Sequence, residues 1–147
     1  MELYRHKVQY YETDQMGIVH HSNYIRWFEE ARTYLMEELG LSYGQMEQEG
    51  IICPVLSAQA KYLKMVHFGE TVKIAAIVKE YNGIKMTLEY QVMDLEEKVV
   101  YTEGETQHCF LEQESGRPIS LKRKSPHFHE MFQNSMEEEK HRKSTER

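Results

Sequence analysis

The hydrophobic pattern changes period along this chain, and the changes mark its elements. From Leu3 to Tyr11, Tyr4, Val8 and Tyr10 stand among polar residues, which predicts a first strand. Glu12 to Met16 is polar and predicts a turn. Tyr24, Trp27, Phe28, Ala31, Leu35 and Leu39 then recur at steps of three and four, the apolar face of a long helix. Arg26, Glu29, Glu30, Arg32 and Glu37 are expected on its polar side. Ser22 has the side chain of an N-cap, and Gly40 is suited to end the helix in a left-handed cap. A shorter helix is expected over Ser42 to Glu49, stopped by Gly50.

Beyond Ile51 the period becomes two. Pro54 to Leu63 alternates weakly, with Ala58, Ala60 and Tyr62 opposite Gln59 and Lys61. Thr71 to Glu80 places Val72, Ile74, Ala76 and Val78 on one face. Asn82-Gly83 predicts a hairpin with a type I′ turn, whose two central residues need positive φ. Ile84, Met86, Leu88, Tyr90 and Val92 alternate after it. Asp94 to Glu97 predicts another turn, and Lys98 to Glu112 a long last strand. Pro126 to Gln133 predicts a short helix. The expected plan is a strand, a long helix and an antiparallel meander of four strands. One apolar helix face needs a sheet to cover it, which makes the class α+β.

Length and composition fit that plan. At 147 residues the chain is long enough for one domain with a core of its own, expected over residues 1–135. From Met136 the sequence is MEEEKHRKSTER, in which eight of twelve residues are charged, so 136–147 is expected to be a charged, solvated tail. The net charge of −6 and the lack of a dense basic patch argue against nucleic-acid binding. No run reaches 18 apolar residues, and the N-terminus lacks the apolar core of a signal peptide, so a cytoplasmic protein without membrane insertion is expected. Cys53 and Cys109 are isolated, which fits inert thiols in a reducing compartment.

The chemistry concentrates between Glu12 and Arg32. An aspartate after a strand is ordinarily a turn former, because its side chain bonds nearby backbone. Asp14 is distinguished by position: it lies between a strand end and the start of the main helix, with Gly17 allowing close backbone approach. A helix N-terminus offers unpaired N–H groups to an oxyanion. The adjacent His20 and His21 diverge in either a helix or a strand and make a poor chelate, so no metal and no other cofactor is expected. His127 and His129, flanking Phe128, read as surface residues of the last helix. There is no GxSxG elbow and no glycine-rich phosphate loop.

The segment YYETDQMGIVHHSNYIRWFEEAR, residues 10–32, resembles the signature of the 4-hydroxybenzoyl-CoA thioesterase family of hotdog-fold thioesterases. The shared features are the aromatic strand end, the acidic-Thr-Asp turn, a glycine soon after it, a histidine, Asn-Tyr, and an aromatic-acidic helix ending in Ala-Arg. The order of elements is similar over residues 3–125. Tyr62 with Phe68-Gly-Glu-Thr-Val gives further support. The resemblance implies a hotdog fold, a long helix wrapped by a five-stranded antiparallel sheet, assembled into homodimers or homotetramers. It implies acyl-CoA thioester hydrolysis with Asp14 as catalytic carboxylate. It places the carbonyl-polarising N–H near His21 and puts Gly17 in the supporting loop. Glu12 stands where the family often has aspartate, a mild departure. The family's contacts to CoA phosphates vary, so Lys61, Lys64 and Lys85 are candidates on charge alone. A non-catalytic acyl- or aryl-thioester-binding protein is the alternative. A dehydratase or a purely structural oligomer leaves the Thr-Asp turn unexplained.

Overall fold

The computed structural model describes residues 2–145. Its centre is a five-stranded antiparallel sheet of order β1-β4-β5-β6-β3. These strands are β1 (Tyr4–Lys7), β3 (Val55–Tyr62), β4 (Thr71–Tyr81), β5 (Lys85–Met93) and β6 (Val100–Cys109). A separate two-stranded ladder joins β2 (Ile51–Ile52) to β7 (Leu111–Glu112). The helices are α1 (Ser22–Leu39), α2 (Tyr43–Gln48), α3 (Leu121–Lys124) and α4 (Pro126–Thr145). This is the hotdog architecture, with α1 packed on the sheet.

The alternations in β4 and β5 survive intact. Val72, Ile74, Ala76 and Val78 are buried on one strand, and Met86, Leu88, Tyr90 and Val92 on the next. The connection between them shifts by one residue. Asn82 N–H bonds to Lys85 C=O, so Gly83 and Ile84 are the central pair, and only Gly83 has positive φ, at +89°. Those are the φ signs of a II′ turn with glycine first, not of type I′. Asn82 instead accepts from Ile84 N–H and Lys85 N–H through its side chain.

The expected four-strand meander is also corrected. β4, β5 and β6 follow one another, but β3 pairs with β6 at the far edge, with Tyr62 opposite Thr102. Alternation tells which face a residue takes, not which strand it pairs with. The segment from Leu63 to Glu70 must therefore cross three strand spacings, about 14 Å. Leu63 and Lys64 N–H bond to Tyr101 C=O, Val19 N–H to Val66 C=O, Phe68 N–H to Gly17 C=O, and Val8 N–H to Glu70 C=O. This crossover is thus stitched to the segment that precedes α1. The long last strand is interrupted at Phe110, which turns into the core.

α1 buries Tyr24, Trp27, Phe28, Ala31 and Leu35, as its periodicity requires. Gly40 ends it with φ +96°. Phe28 stacks on Tyr90 with centroids 4.5 Å apart and lies over Gly104, where a Cβ would stand 2.2 Å from the ring. Arg32, expected on the polar side, is buried at 8% exposure. It donates to Tyr43 and Tyr90, and Tyr90 continues through Thr106 to His108. Burial and the charge of Arg32 hold His108 down to about 4, so its ring is neutral at pH 7. α4 is longer than expected and runs unbroken through Met136, with Phe128, Phe132 and Met136 buried. Its last turns bear exposed ion pairs, Lys140 with Glu80 and Lys143 with Glu89. Glu146 and Arg147, the end of the expected tail, lie outside the described residues.

Two outcomes follow from this packing. Gly104→Ala forces its methyl into Phe28 while the Gln59 carbonyl, 3.1 Å away, blocks retreat. It should cost about 1–3 kcal/mol, read as a lower urea midpoint at unchanged slope. The second concerns pH. An unfolded imidazole titrates near 6.5 and His108 in the fold near 4, so the unfolded chain takes up the proton first. Stability is complete above pH 6.5 and declines as pH falls toward 4. The loss from this group between pH 7 and pH 5 should be about 2 kcal/mol. It should vanish in His108→Gln, measured by urea unfolding at both pH values.

Candidate active site

The loop before α1 is built on Glu12. A short 3₁₀ turn, Tyr10–Glu12, folds this side chain into the core at 5% exposure. Its carboxylate accepts from Gln9 N–H at 2.8 Å, from the Trp27 indole at 2.6 Å and from His6 Nε2 at 2.7 Å. Burial alone would raise its pKa; these donors outweigh burial and hold it below the ordinary glutamate value. His6 also meets Glu30 at 3.3 Å, and Tyr4 donates to Glu30 at 2.8 Å. The main-chain carbonyl of Glu12 accepts from His20 N–H and from the Asn23 amide. One residue thus ties β1, the 3₁₀ turn and the first turn of α1 together. Sequence reasoning passed over it as a mild departure. The signal for it was a buried-face indole at Trp27, whose N–H needs an acceptor.

Asp14 follows in a tight loop. Thr13 bridges to Val19, and Ile18 to His67 across the crossover. Asp14 N–H bonds to Ile18 C=O, and Gly17 N–H to Asp14 C=O. Gly17 has φ +75°, the left-handed conformation glycine adopts freely. The Asp14 side chain is half-buried. Its Oδ1 accepts from Met16 N–H at 2.8 Å and from Ile18 N–H at 3.4 Å. Its Oδ2 makes no hydrogen bond among the described residues. The carboxylate is held by one oxygen and presents the other.

The helix begins differently from expectation. Ser22 is the first helical residue, not the cap; His21 takes the cap position with helical φ and ψ and no side-chain cap bond. The ring of His20 takes over, meeting Ser22 Oγ at 2.8 Å and accepting from Ser22 N–H at 3.2 Å. His21 N–H has no backbone partner among the described residues, while its carbonyl accepts from Tyr24 N–H. Both histidines are exposed, with ring centroids 4.2 Å apart. Tyr62, at the end of β3, stands over His21 and Tyr24.

The lysines separate. Lys61 and Lys64 are exposed on either side of Tyr62 in sequence, at this end of the sheet. Lys85 pairs with Cys109, whereas Tyr62 pairs with Thr102, so Lys85 lies along β6 by about 23 Å at ~3.3 Å per residue. Asp14, Gly17 and His21 share the loop before α1, and Lys64 lies in the crossover stitched to that loop; Lys61, alternating with Tyr62, takes the other face of the sheet beside Glu89 and Glu103 and, like Lys85, stands apart.

A second polar group resembles hydrolase machinery but lacks its geometry. Ser125 donates to Glu49 at 2.7 Å, and His127 Nε2 meets both Glu49 at 2.7 Å and Ser125 at 3.2 Å. A catalytic triad uses opposite ring nitrogens for its acid and its nucleophile. Here one nitrogen serves both, and Ser125 is buried. The group clasps α2 to the start of α4. His129, expected on the surface, is half-buried and meets the Tyr81 hydroxyl at 2.8 Å. Burial pushes the Cys53 thiol up to about 12, which leaves it protonated and unreactive.

The geometry has counterparts among known proteins. The crystal structure of DHNA-CoA thioesterase from Staphylococcus aureus matches with a TM-score of 0.85 and 32% identity, covering 90% of this chain and 89% of that one. A hypothetical protein from Aquifex aeolicus matches at 0.80 and 32%, covering 88% and 98%. In sequence, the Bacillus subtilis protein named "Putative acyl-CoA thioesterase YneP" is 35% identical over 127 residues, 86% of this chain and 91% of its own length. The family model for the thioesterase-like superfamily matches residues 8–135, which includes the whole Glu12–Asp14–His21 region and most of the sheet. The chain belongs to the thioesterase-like superfamily, on the hotdog fold.

Proposed function

We propose that the chain hydrolyses acyl-CoA thioesters to a free acid and CoA, with Asp14 as the catalytic carboxylate. The observation that carries this reading is the half-tied side chain of Asp14. Two backbone N–H groups fix Oδ1, so Oδ2 has a set direction without a partner to neutralise it. Such an oxygen can attack the thioester carbonyl or take a proton from water. The unpaired N–H of His21, at the positive end of α1, is suited to the oxyanion that either route creates, with Gly17 shaping the loop between them. A thioester has weak resonance and a good leaving group, so these two parts meet the main demand of the reaction. The names of the Staphylococcus and Bacillus relatives point to the same substrate class.

The remaining parts follow from exposure. Lys64, in the crossover beside the Asp14 loop, is the cation that would meet the CoA phosphates; Lys61 faces away across the sheet and Lys85 is too distant to share that role. The outer edge of β3 is unpaired, and Val55, Leu56, Tyr62 and Leu63 on or beside it are exposed. Tyr10, Met16, Met65 and Phe68 extend the apolar area around the Asp14 loop. Exposed apolar side chains along an open edge are the mark of a surface that pairs. A second copy of the chain, in a homodimer or a homotetramer, is the occupant this reading assigns to it.

Asp14→Asn should keep the fold, because its amide oxygen can still accept from Met16 and Ile18. Its turnover of an acyl-CoA panel, followed by free thiol release, should fall by about 10²–10⁴. Near-normal turnover by the folded variant removes Asp14 from the mechanism. His21→Ala should retain most of kcat. His21→Pro, which removes the N–H and replaces the imidazole, should lose about 2.7–4 kcal/mol of transition-state stabilisation, with circular dichroism checking that the restraint proline adds at positions 20 and 21 leaves the fold intact. In sedimentation, active enzyme should run as a dimer or larger; an active monomer contradicts the shared interface.

A further inference from the structure

Arg32 carries an obligation that the proposed hydrolysis does not use. Its guanidinium is buried, and its hydrogen-bond partners among the described residues are hydroxyls: Tyr43 at Nε, 3.1 Å, and Tyr90 at Nη1, 3.0 Å. Tyr90 leans on Thr106, and Thr106 on a neutral His108. No carboxylate pairs with Arg32 among the described residues. A cation out of water without a counter-ion is costly, and hydroxyl dipoles compensate it only in part. Its Nη2 has no hydrogen bond among the described residues, yet it is not sealed in the core. Arg32 borders a cavity of about 570 Å³, lined also by Thr33, Tyr43, Ile52, Cys53 and Pro54. Ile52, Cys53 and Pro54 form the accessible apolar wall on the β2 side, and Arg32 and Thr33 stand on the α1 side. Glu29 and Glu47 also border it, and both are exposed at the mouth.

We propose that this cavity binds a small carboxylic acid with an apolar body, its carboxylate on Arg32 Nη2 and Tyr43 and its body against Ile52 and Pro54. An anion restores the missing counter-charge, and a planar carboxylate suits the fork of a guanidinium. The volume lies in the range of small-molecule sites. The cysteine in the wall stays protonated and adds no charge of its own. The class includes the free acid that thioester hydrolysis releases, but the assignment does not depend on that reading.

The test uses benzoate as probe, with benzyl alcohol as its uncharged counterpart, by calorimetric titration of the full chain. Benzoate should bind saturably and benzyl alcohol at least 10-fold more weakly. Tyr43→Phe should weaken benzoate several-fold, and Arg32→Met should abolish its binding. Glu29→Gln should strengthen it, since a competing carboxylate leaves the mouth. Amide NMR shifts on titration should centre on residues 43–55. Asp14→Asn should bind benzoate like the parent, so a failed catalytic assignment leaves this result standing. Benzoate binding unchanged by Tyr43→Phe, shifts centred on residues 12–24, or no saturable binding at all would each overturn the proposal. Should Arg32→Met fail to fold, Tyr43→Phe and the shift map decide alone.

Discussion

Everything around the Asp14 loop hangs on the carboxylate of Glu12. A buried anion is tolerated only when its lone pairs are filled, and here three donors fill them from three different elements. The geometry that satisfies the charge also sets the distance between β1 and α1. It fixes where the 3₁₀ turn ends, and the Glu12 carbonyl then captures the first turn of the helix through His20 and Asn23. Asp14 and His21 are therefore placed by a residue that lies between neither of them and any substrate. The crossover from β3 to β4 closes the arrangement from outside, since Val19, Gly17 and Val8 all bond to it.

The same helix carries the opposite case. Glu12 is an anion surrounded by donors; Arg32, further along α1, is a cation given only hydroxyls. The first cluster is closed and serves architecture. The second has no carboxylate bonded to it among the described residues, and Arg32 borders a cavity whose lining also includes Glu29 and Glu47. Both lie under the apolar stripe of one amphipathic helix. That stripe is set by Phe28, whose ring fits only because β6 has a glycine beneath it.

Much of this was readable from the chain. Periodicity located α1 and its buried face, the alternation in β4 and β5, and the left-handed end at Gly40. The resemblance carried by residues 10–32 led to the fold class. What escaped was information that single-strand patterns do not hold. β3 pairs with β6 rather than β4 because pairing depends on contacts across the chain. α4 extends past its expected end because Met136 finds a pocket that composition does not reveal. Arg32 looked solvated because charge type, not its i, i+4 relation to the buried Phe28, decided its side. The cap moved from Ser22 to His21 because the His20 ring supplies the bond that a serine ordinarily gives.

A carboxylate that starts a turn and a carboxylate that does chemistry are often treated as competing readings of one residue. In the role proposed for Asp14 they reinforce each other. An aspartate free at both oxygens rotates about its side-chain bonds and spends entropy each time it must align with a carbonyl. Fixing Oδ1 by Met16 and Ile18 removes that freedom in advance, and the cost is met when the loop folds. The same two bonds draw little from Oδ2, which keeps its lone pairs. A loop tied more fully, with both oxygens accepting, would be equally good as a turn and useless as a base. A loop not tied at all would keep basicity and lose direction. The asymmetry of the Asp14 hydrogen bonds is thus the feature that would let turn formation and the proposed reactivity coexist in one side chain.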